Sequence, residues 1–450
     1  MKRILSLILA LSLLLALAGC GAGEDYAVAR AVYPKLTSYA EEFETVSKYE
    51  QSGMIDWSKM EKAYEDLHVA KAAYYDDLQA MRAEAVDKLP DVTDFTAETV
   101  AQLFARREEN TVYSPVNLYL ALAMLSEATA GDTRKEVIDL MGIDDPRTAA
   151  NALWKMLYTD GRGKTLAANS MWMGETWAVK QSLADTLAEH YYADTFTVPM
   201  GTAEADKAMQ SWLNEHTGGL LEEAAGGIQS DPNTVLALMS TLYFEHMWSD
   251  RFEEHATSPD VFTYADGAAA EIDFMHAGGT GAWYRGDNFI MSSRSFQDDG
   301  GRMLFILPDE GVLPEQLLTD EATVEEILTA GLDNYSRIEW SVPKFDVDSD
   351  LELTEQLKAL GVEKAFDFNV SDFTPITDEV DVELSQVQHA ARVKIDENGC
   401  AAAAFTVMMM NAMGAMPPDL VVEMNLNRPF AFVIFNDSDL PLFVGTVYTP

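Results

Sequence analysis

Asp346-Val-Asp348-Ser-Asp350 sets three carboxylates at alternate positions, the opening of a calcium-binding loop. The pattern then fails: its sixth residue is Leu351 and its twelfth Leu357, where such a loop needs glycine and a bidentate glutamate. The triplet is expected to be a solvated turn. Gly278-Gly-Thr-Gly281 could cradle a phosphate only in a strand-turn-helix context, which its flanks lack, so it is expected to be a loop. No HExxH, GxSxG or P-loop pattern is present. The seven histidines are too scattered for a metal cluster, and two cysteines without a CxxC pair offer neither a disulfide framework nor a zinc or redox site. The residues that could do chemistry therefore do not form an active site; neither enzyme activity nor a cofactor is expected.

The 450 residues carry 74 acidic and 31 basic side chains, a formal charge of −43, with 48% hydrophobic residues. That apolar content fills a large core, while the charge argues against nucleic-acid binding and polyanion activators, which need a basic face. Residues 1–19 read as a signal peptide: Lys2 and Arg3 precede a mainly apolar run, Ile4 to Leu15, too short to span a membrane. The following Leu17-Ala18-Gly19-Cys20 is similar to the lipobox of bacterial lipoproteins, which implies Cys20 as the lipidated first residue. An extracytoplasmic protein held at a bacterial membrane or cell surface by lipid, without attraction to anionic head groups, is the expectation.

Residues 20–90 are acidic and helical in pattern, with Ser58-Lys-Met-Glu61 fitting a capping box and apolar residues at helical spacing up to Pro90. They are expected to form a spacer lifting the main domain off the membrane. Residues 91–450 contain no linker and form one domain, with helical patterns at Phe95 to Arg107, Asn117 to Ala130, Leu183 to Tyr192 and Ala208 to His216. Strand-like runs occur at Leu236 to Phe244, Met303 to Leu307, Ile338 to Val342, Val393 to Ile395 and Ala431 to Phe435. Uneven mixing of strands and helices indicates an α+β fold.

A colinear series of motifs then points to a family. Asn110-Thr-Val-Tyr-Ser-Pro-Val-Asn leads into Ala121-Leu-Ala-Met-Leu-Ser-Glu-Ala-Thr-Ala-Gly131. Trp212 with Thr217-Gly-Gly219, Leu242-Tyr-Phe244, Met303-Leu-Phe-Ile-Leu-Pro-Asp-Glu-Gly311, Pro343-Lys-Phe345, Asp396-Glu397-Asn-Gly399 and Arg428-Pro-Phe430 follow in order. The series resembles the serpin family over roughly four fifths of the chain. The resemblance implies three β-sheets with about nine helices, a helix ending at Gly131, and an exposed reactive-centre loop, here about 397–418. It also implies a suicide-substrate mechanism. A serine protease cleaves the loop, is held as an acyl-enzyme, and is dragged away as the loop inserts into the main sheet. The alternative is a non-inhibitory serpin acting as a cell-surface binding or structural protein. A monomer is expected in either case.

The hinge fits insertion. Glu397-Asn-Gly399 begins the loop, glycine giving torsional freedom, and Cys400-Ala401-Ala402-Ala403-Ala404 offers small side chains that slip between strands. Cysteine stands where the family usually has threonine or serine. No proline interrupts Gly399 to Met416, and the alternate residues from Cys400 to Met410 that would face the core are uncharged. The family's loop spacing puts the cleaved bond at Met413-Gly414. The absence of Lys or Arg between Gly399 and Asn427 points to elastase-, chymotrypsin- or subtilisin-like targets. Under the sheet, Ser114, Asn117, Ser240 and His389 occupy the family's polar shutter positions, with asparagine and serine exchanged between two of them. The exchange is expected to keep one amide and two hydroxyls near the imidazole.

Overall fold

Ser114-Pro115 starts Pro115–Ala128, the most buried helix among the described residues: the Ser114 hydroxyl accepts the Asn117 N–H, and proline supplies the first turn without losing a needed donor. Around it a computed structural model, which describes residues 26–52, 57–219, 221, 226–232, 234–378, 382–384, 387–400 and 420–450, shows a mixed α+β architecture. Among the described residues there are eleven α-helices, nine between residues 93 and 359 and two, Ala40–Ser52 and Trp57–Ala83, before them.

The main sheet runs in the order Ala27–Ala29, Ala193–Val198, Lys164–Gly174, Leu236–Met247, Gly399–Cys400, Gln388–Ile395, Phe345–Glu352, with Thr159–Asp160 paired beside Lys164–Gly174. The other described strands form one nine-stranded sheet. Ala269–Arg285, 17 residues long, runs through two of the three expected sheets: it pairs first with Ser258–Thr263 and Asn334–Pro343, then at its end with Phe289–Ser295. Hydrogen bonding is thus continuous where two separate sheets were expected.

That strand contains Gly278 to Gly281, so the expected loop is strand instead. Two of the three glycines have a close neighbour, at Gly278 only the movable end of a side chain, while nothing lies within 4 Å of Gly279. A Cβ on Gly278 would stand 2.5 Å from a Glu339 carboxylate oxygen, and one on Gly281 would stand 2.9 Å from Ile338. Asp346 to Asp350 is likewise strand and not a solvated turn: in Phe345–Glu352 buried and exposed residues alternate, and the carboxylates occupy the exposed positions. Gly131 does not end the preceding helix, which stops at Ala128; with φ of 55° it opens the next, Gly131–Met141.

The described part of the N-terminal extension is helical and packs on the main body. Tyr74, Leu78, Met81 and Ala85 belong to the main core. The Tyr39 hydroxyl accepts the Arg162 N–H at 2.8 Å and the Tyr74 hydroxyl the Asp160 N–H at 2.9 Å. Arg82 pairs with Asp437 at 2.8 Å. The long helix starts at Trp57, which places Ser58 inside its first turn and not at the expected cap. Because Leu78 is 1% exposed, Leu78→Ala is expected to cost about 2–5 kcal/mol, read as a lowered melting temperature; an unchanged melt would show that the extension contributes nothing to the folded body.

Candidate functional site

The centre of the main sheet has an unusual partner. Leu236–Met247 pairs along Lys164–Gly174 on one side; on its other side the described partner is the two-residue strand Gly399–Cys400, with Gly399 opposite Met247 and Cys400 opposite His246. Cys400 is in turn opposite Ile395 of Gln388–Ile395. Among the described residues the two flanking strands share no rung of their own. Adjacent strands lie about 4.8 Å apart, so at this end the flanking strands are separated by twice that distance, the width of one inserted strand. Towards the other end a cavity of about 240 Å³, lined by Met209, Leu213, Ser240, Asp350, Gln388 and Ala390, lies between the same two strands and the helix Ala203–His216.

Every residue that leads into this insertion is bonded. The Trp248 N–H donates to the Asn398 carbonyl at 2.8 Å, the Trp248 indole N–H to the Asp396 carbonyl at 3.0 Å, and the Phe252 N–H to the Glu397 carbonyl at 3.2 Å. The Asp396 carboxylate accepts the N–H groups of Asn398 and Gly399. Glu397 is buried; burial alone would oppose its ionisation, but Lys344 at 2.6 Å and the Thr257 hydroxyl at 2.7 Å outweigh that and hold its carboxyl below the usual range. Gly399 is required by space: a Cβ would lie 2.1 Å from the His246 carbonyl oxygen. Cys400, 2% exposed, shares the inward face with His246 and Ile395, and burial pushes its thiol far above the usual range, so it is protonated and unreactive here.

Beneath the same strands the four residues expected at the shutter positions meet. The His389 Nε2 accepts the Ser114 backbone N–H at 3.1 Å. Asn117 and Ser240 bond to each other twice: the Asn117 amide donates to the Ser240 carbonyl at 2.9 Å, and the Ser240 hydroxyl faces the Asn117 side-chain oxygen. The Ser240 hydroxyl also stands 2.7 Å from Asn169 Oδ1. The exchanged pair therefore ties the helix to the central strand, and the imidazole is held by backbone and not by these side chains. Burial lowers the His389 pKa to about 4, which keeps the ring neutral.

A protein-family model described as "Serpin (serine protease inhibitor)" matches residues 90–450. The chain belongs to the serpin family. Among curated relatives, Serpin-Z1C of Triticum aestivum is 26% identical over 375 residues, covering 79% of this chain and 93% of that protein. Alpha-1-antiproteinase 2 of Equus caballus is 28% identical, covering 76% and 82%. The solved structure of the thermophilic serpin Tengpin in the native state superposes with a TM-score of 0.71 at 24% identity, covering 80% of this serpin and 94% of that chain.

Of the residues expected to act, Glu397, Gly399 and Cys400 converge at the top of the main sheet, and Ser114, Asn117, Ser240 and His389 converge below it. Ala401, Ala402, Ala403, Ala404, Met413, Gly414 and Cys20 lie outside the described residues. Sequence reasoning missed Asn169, which has no local signal in a run of small strand residues, and Lys344, the partner of Glu397. It also missed the Asp396 turn, although an aspartate followed two residues later by Asn-Gly is a readable turn signature. If the exchange in the shutter is compensating, Asn117→Ser with Ser240→Asn should lower the unfolding midpoint by less than the two single changes summed. Urea titrations of all four proteins check this; a double variant worse than the sum refutes it.

Proposed function

We propose that this serpin is a suicide-substrate inhibitor of serine proteases with apolar or small-residue preference, elastase-, chymotrypsin- or subtilisin-like, and that lipid on Cys20 holds it outside the cytoplasm. The observation that carries the inhibitory reading is the seating of Gly399–Cys400 as a central strand between Leu236–Met247 and Gln388–Ile395. From there to Met413 the sequence contains no charge and no proline, so each further residue can add to the ladder at little desolvation cost. In this reading the protease serine attacks the Met413 carbonyl, the Gly414 amine leaves, and the ester links protease to loop. The 15 residues from Gly399 to Met413, at about 3.3 Å each, carry the protease roughly 50 Å along the sheet. The charged start and lipobox-like end of residues 1–20 support the anchor.

The test is to mix the protein with elastase-, subtilisin- and trypsin-like proteases. A complex that survives denaturant, with a released peptide beginning at Gly414, is expected with the first two. Clean cleavage with turnover refutes inhibition and favours a binding or structural role; efficient trapping of the trypsin-like enzyme alone refutes the specificity.

A further inference from the structure

We infer that the anchored serpin stands with the end of its main sheet remote from the hinge turned toward the bilayer, so that insertion delivers the captured protease to the membrane side. The inference rests on the proposed lipid at Cys20 and the proposed insertion; its geometry comes from the described residues. The rungs fix direction. Ala27 is opposite Phe196, Phe196 is beside Trp172, and Trp172 is opposite Ala237. The N-terminal arm therefore joins the sheet at the row of Ala237, whereas the hinge joins at the row of Met247. Ten residues of strand separate those rows, about 33 Å.

From its entry the chain runs toward the hinge end. The Ala31 N–H donates to the Asp194 carboxylate at 3.0 Å, Tyr33 stacks on Trp154 and Tyr192, and Tyr39 reaches the Arg162 N–H, one turn from the Lys164 end of its strand. The arm is seated firmly at the start: Arg30 lies 4.8 Å over the Phe196 ring and 3.5 Å from Asp194, which also accepts the Trp212 indole N–H. Tyr26 and Ala27 pack against the core that seats the helix Ala203–His216.

Between Cys20 and Tyr26 stand only residues 21–25, and a fully extended chain of that length reaches about 20 Å. That is shorter than the distance from the arm's entry to the hinge row. Lipid on Cys20 therefore reaches the remote end of the sheet and not the hinge end. Glu175, Glu204 and Asp231 are exposed around that remote end, where like charge keeps the body from adsorbing flat on anionic head groups. The loop then opens away from the bilayer, and a protease carried the length of the sheet arrives within reach of the tether.

The test uses the full lipidated chain in vesicles that carry an acceptor-labelled lipid. A donor is placed at an exposed position at either end, through Glu175→Cys at the remote end or Glu254→Cys beside the hinge; Cys400 is buried and stays unlabelled. Energy transfer is expected to be several-fold higher from position 175 than from position 254. A donor-labelled elastase-like protease should show a rise in transfer as the covalent complex forms. Equal transfer from both positions, the reverse order, or a complex formed without a rise overturns the inference. Failure to bind vesicles, with Cys20→Ser indistinguishable, would refute the anchor itself and the orientation with it. Release of the protease in place of trapping would refute insertion and with it the delivery, while the ranking of positions 175 and 254 would still decide the orientation.

Discussion

Under the proposed insertion mechanism, Cys400→Asp is expected to make this serpin a substrate of the protease it would otherwise trap. Position 400 is enclosed by His246 and Ile395 on neighbouring strands, and the carboxylates of Asp396 and Glu245 already disfavour negative charge there. A buried, unpaired carboxylate costs several kcal/mol, so a carboxylate at position 400 would leave the seat that Cys400 already holds between the strands, and insertion would have to bury it again before any later residue could join. A penalty of about 3 kcal/mol on that step slows it roughly a hundredfold. Hydrolysis of the acyl bond keeps its own rate, so it overtakes insertion and the protease leaves active. The measurement is the stoichiometry of inhibition, with the denaturant-stable complex read on a gel. Cys400→Ser, small and neutral, should retain trapping. A Cys400→Asp variant that trapped as efficiently as the parent would remove the hinge from the mechanism.

Acid is expected to loosen the same region. His389 and His246 stand on the two strands that flank the hinge, are buried, and have pKa values lowered to about 4, in both cases chiefly by burial. Each is therefore neutral in the folded chain and takes up a proton near pH 6.5 when unfolded. Stability from this source is complete above about pH 6.5 and is lost as pH falls toward 4, at about 3 kcal/mol for each ring. The carboxylates held low, Glu397 and Asp346 among them, act in the same sense but below their ordinary range, so a slope between pH 5 and 6.5 belongs to the histidines. Protonated His389 also cannot accept the Ser114 N–H, which releases the tie between helix and strand. Unfolding midpoints across that window, with His389→Gln reducing the slope, check the assignment. A flat profile would contradict it.

The apolar runs that became Leu236–Met247, Arg302–Pro308 and Phe430–Phe435 were legible because apolar runs of strand length need little else to declare themselves. Gly278 to Gly281 misled because glycine in a sequence signals a turn, while here the run is strand, with Ile338 of the adjoining strand close against Gly281. The aspartate triplet misled through its charge, although Phe345, Val347, Ser349 and Leu351 alternate with it at a strand's period. Helical spacing showed that Tyr74, Leu78 and Met81 share a face but could not name what covers it. The hinge was read from residue size and charge, yet its tightest constraints, Gly399 against the His246 carbonyl and Glu397 against Lys344, join residues far apart in the chain.

The arm Ala27–Ala29 also changes how this molecule meets its own copies. A sheet that opens for its own loop, as proposed, would risk accepting a strand from a neighbouring chain, and the outer strands of any sheet are ready templates for aggregation. On one flank the arm occupies the hydrogen-bonding edge of Ala193–Val198. On the other flank Phe345–Glu352 carries Asp346, Asp348, Asp350 and Glu352 at alternate exposed positions. Two such strands brought side by side would set carboxylate against carboxylate. The strand expected from the sequence to be a solvated turn would thus work against self-association at the crowded surface to which a lipid anchor would confine the protein.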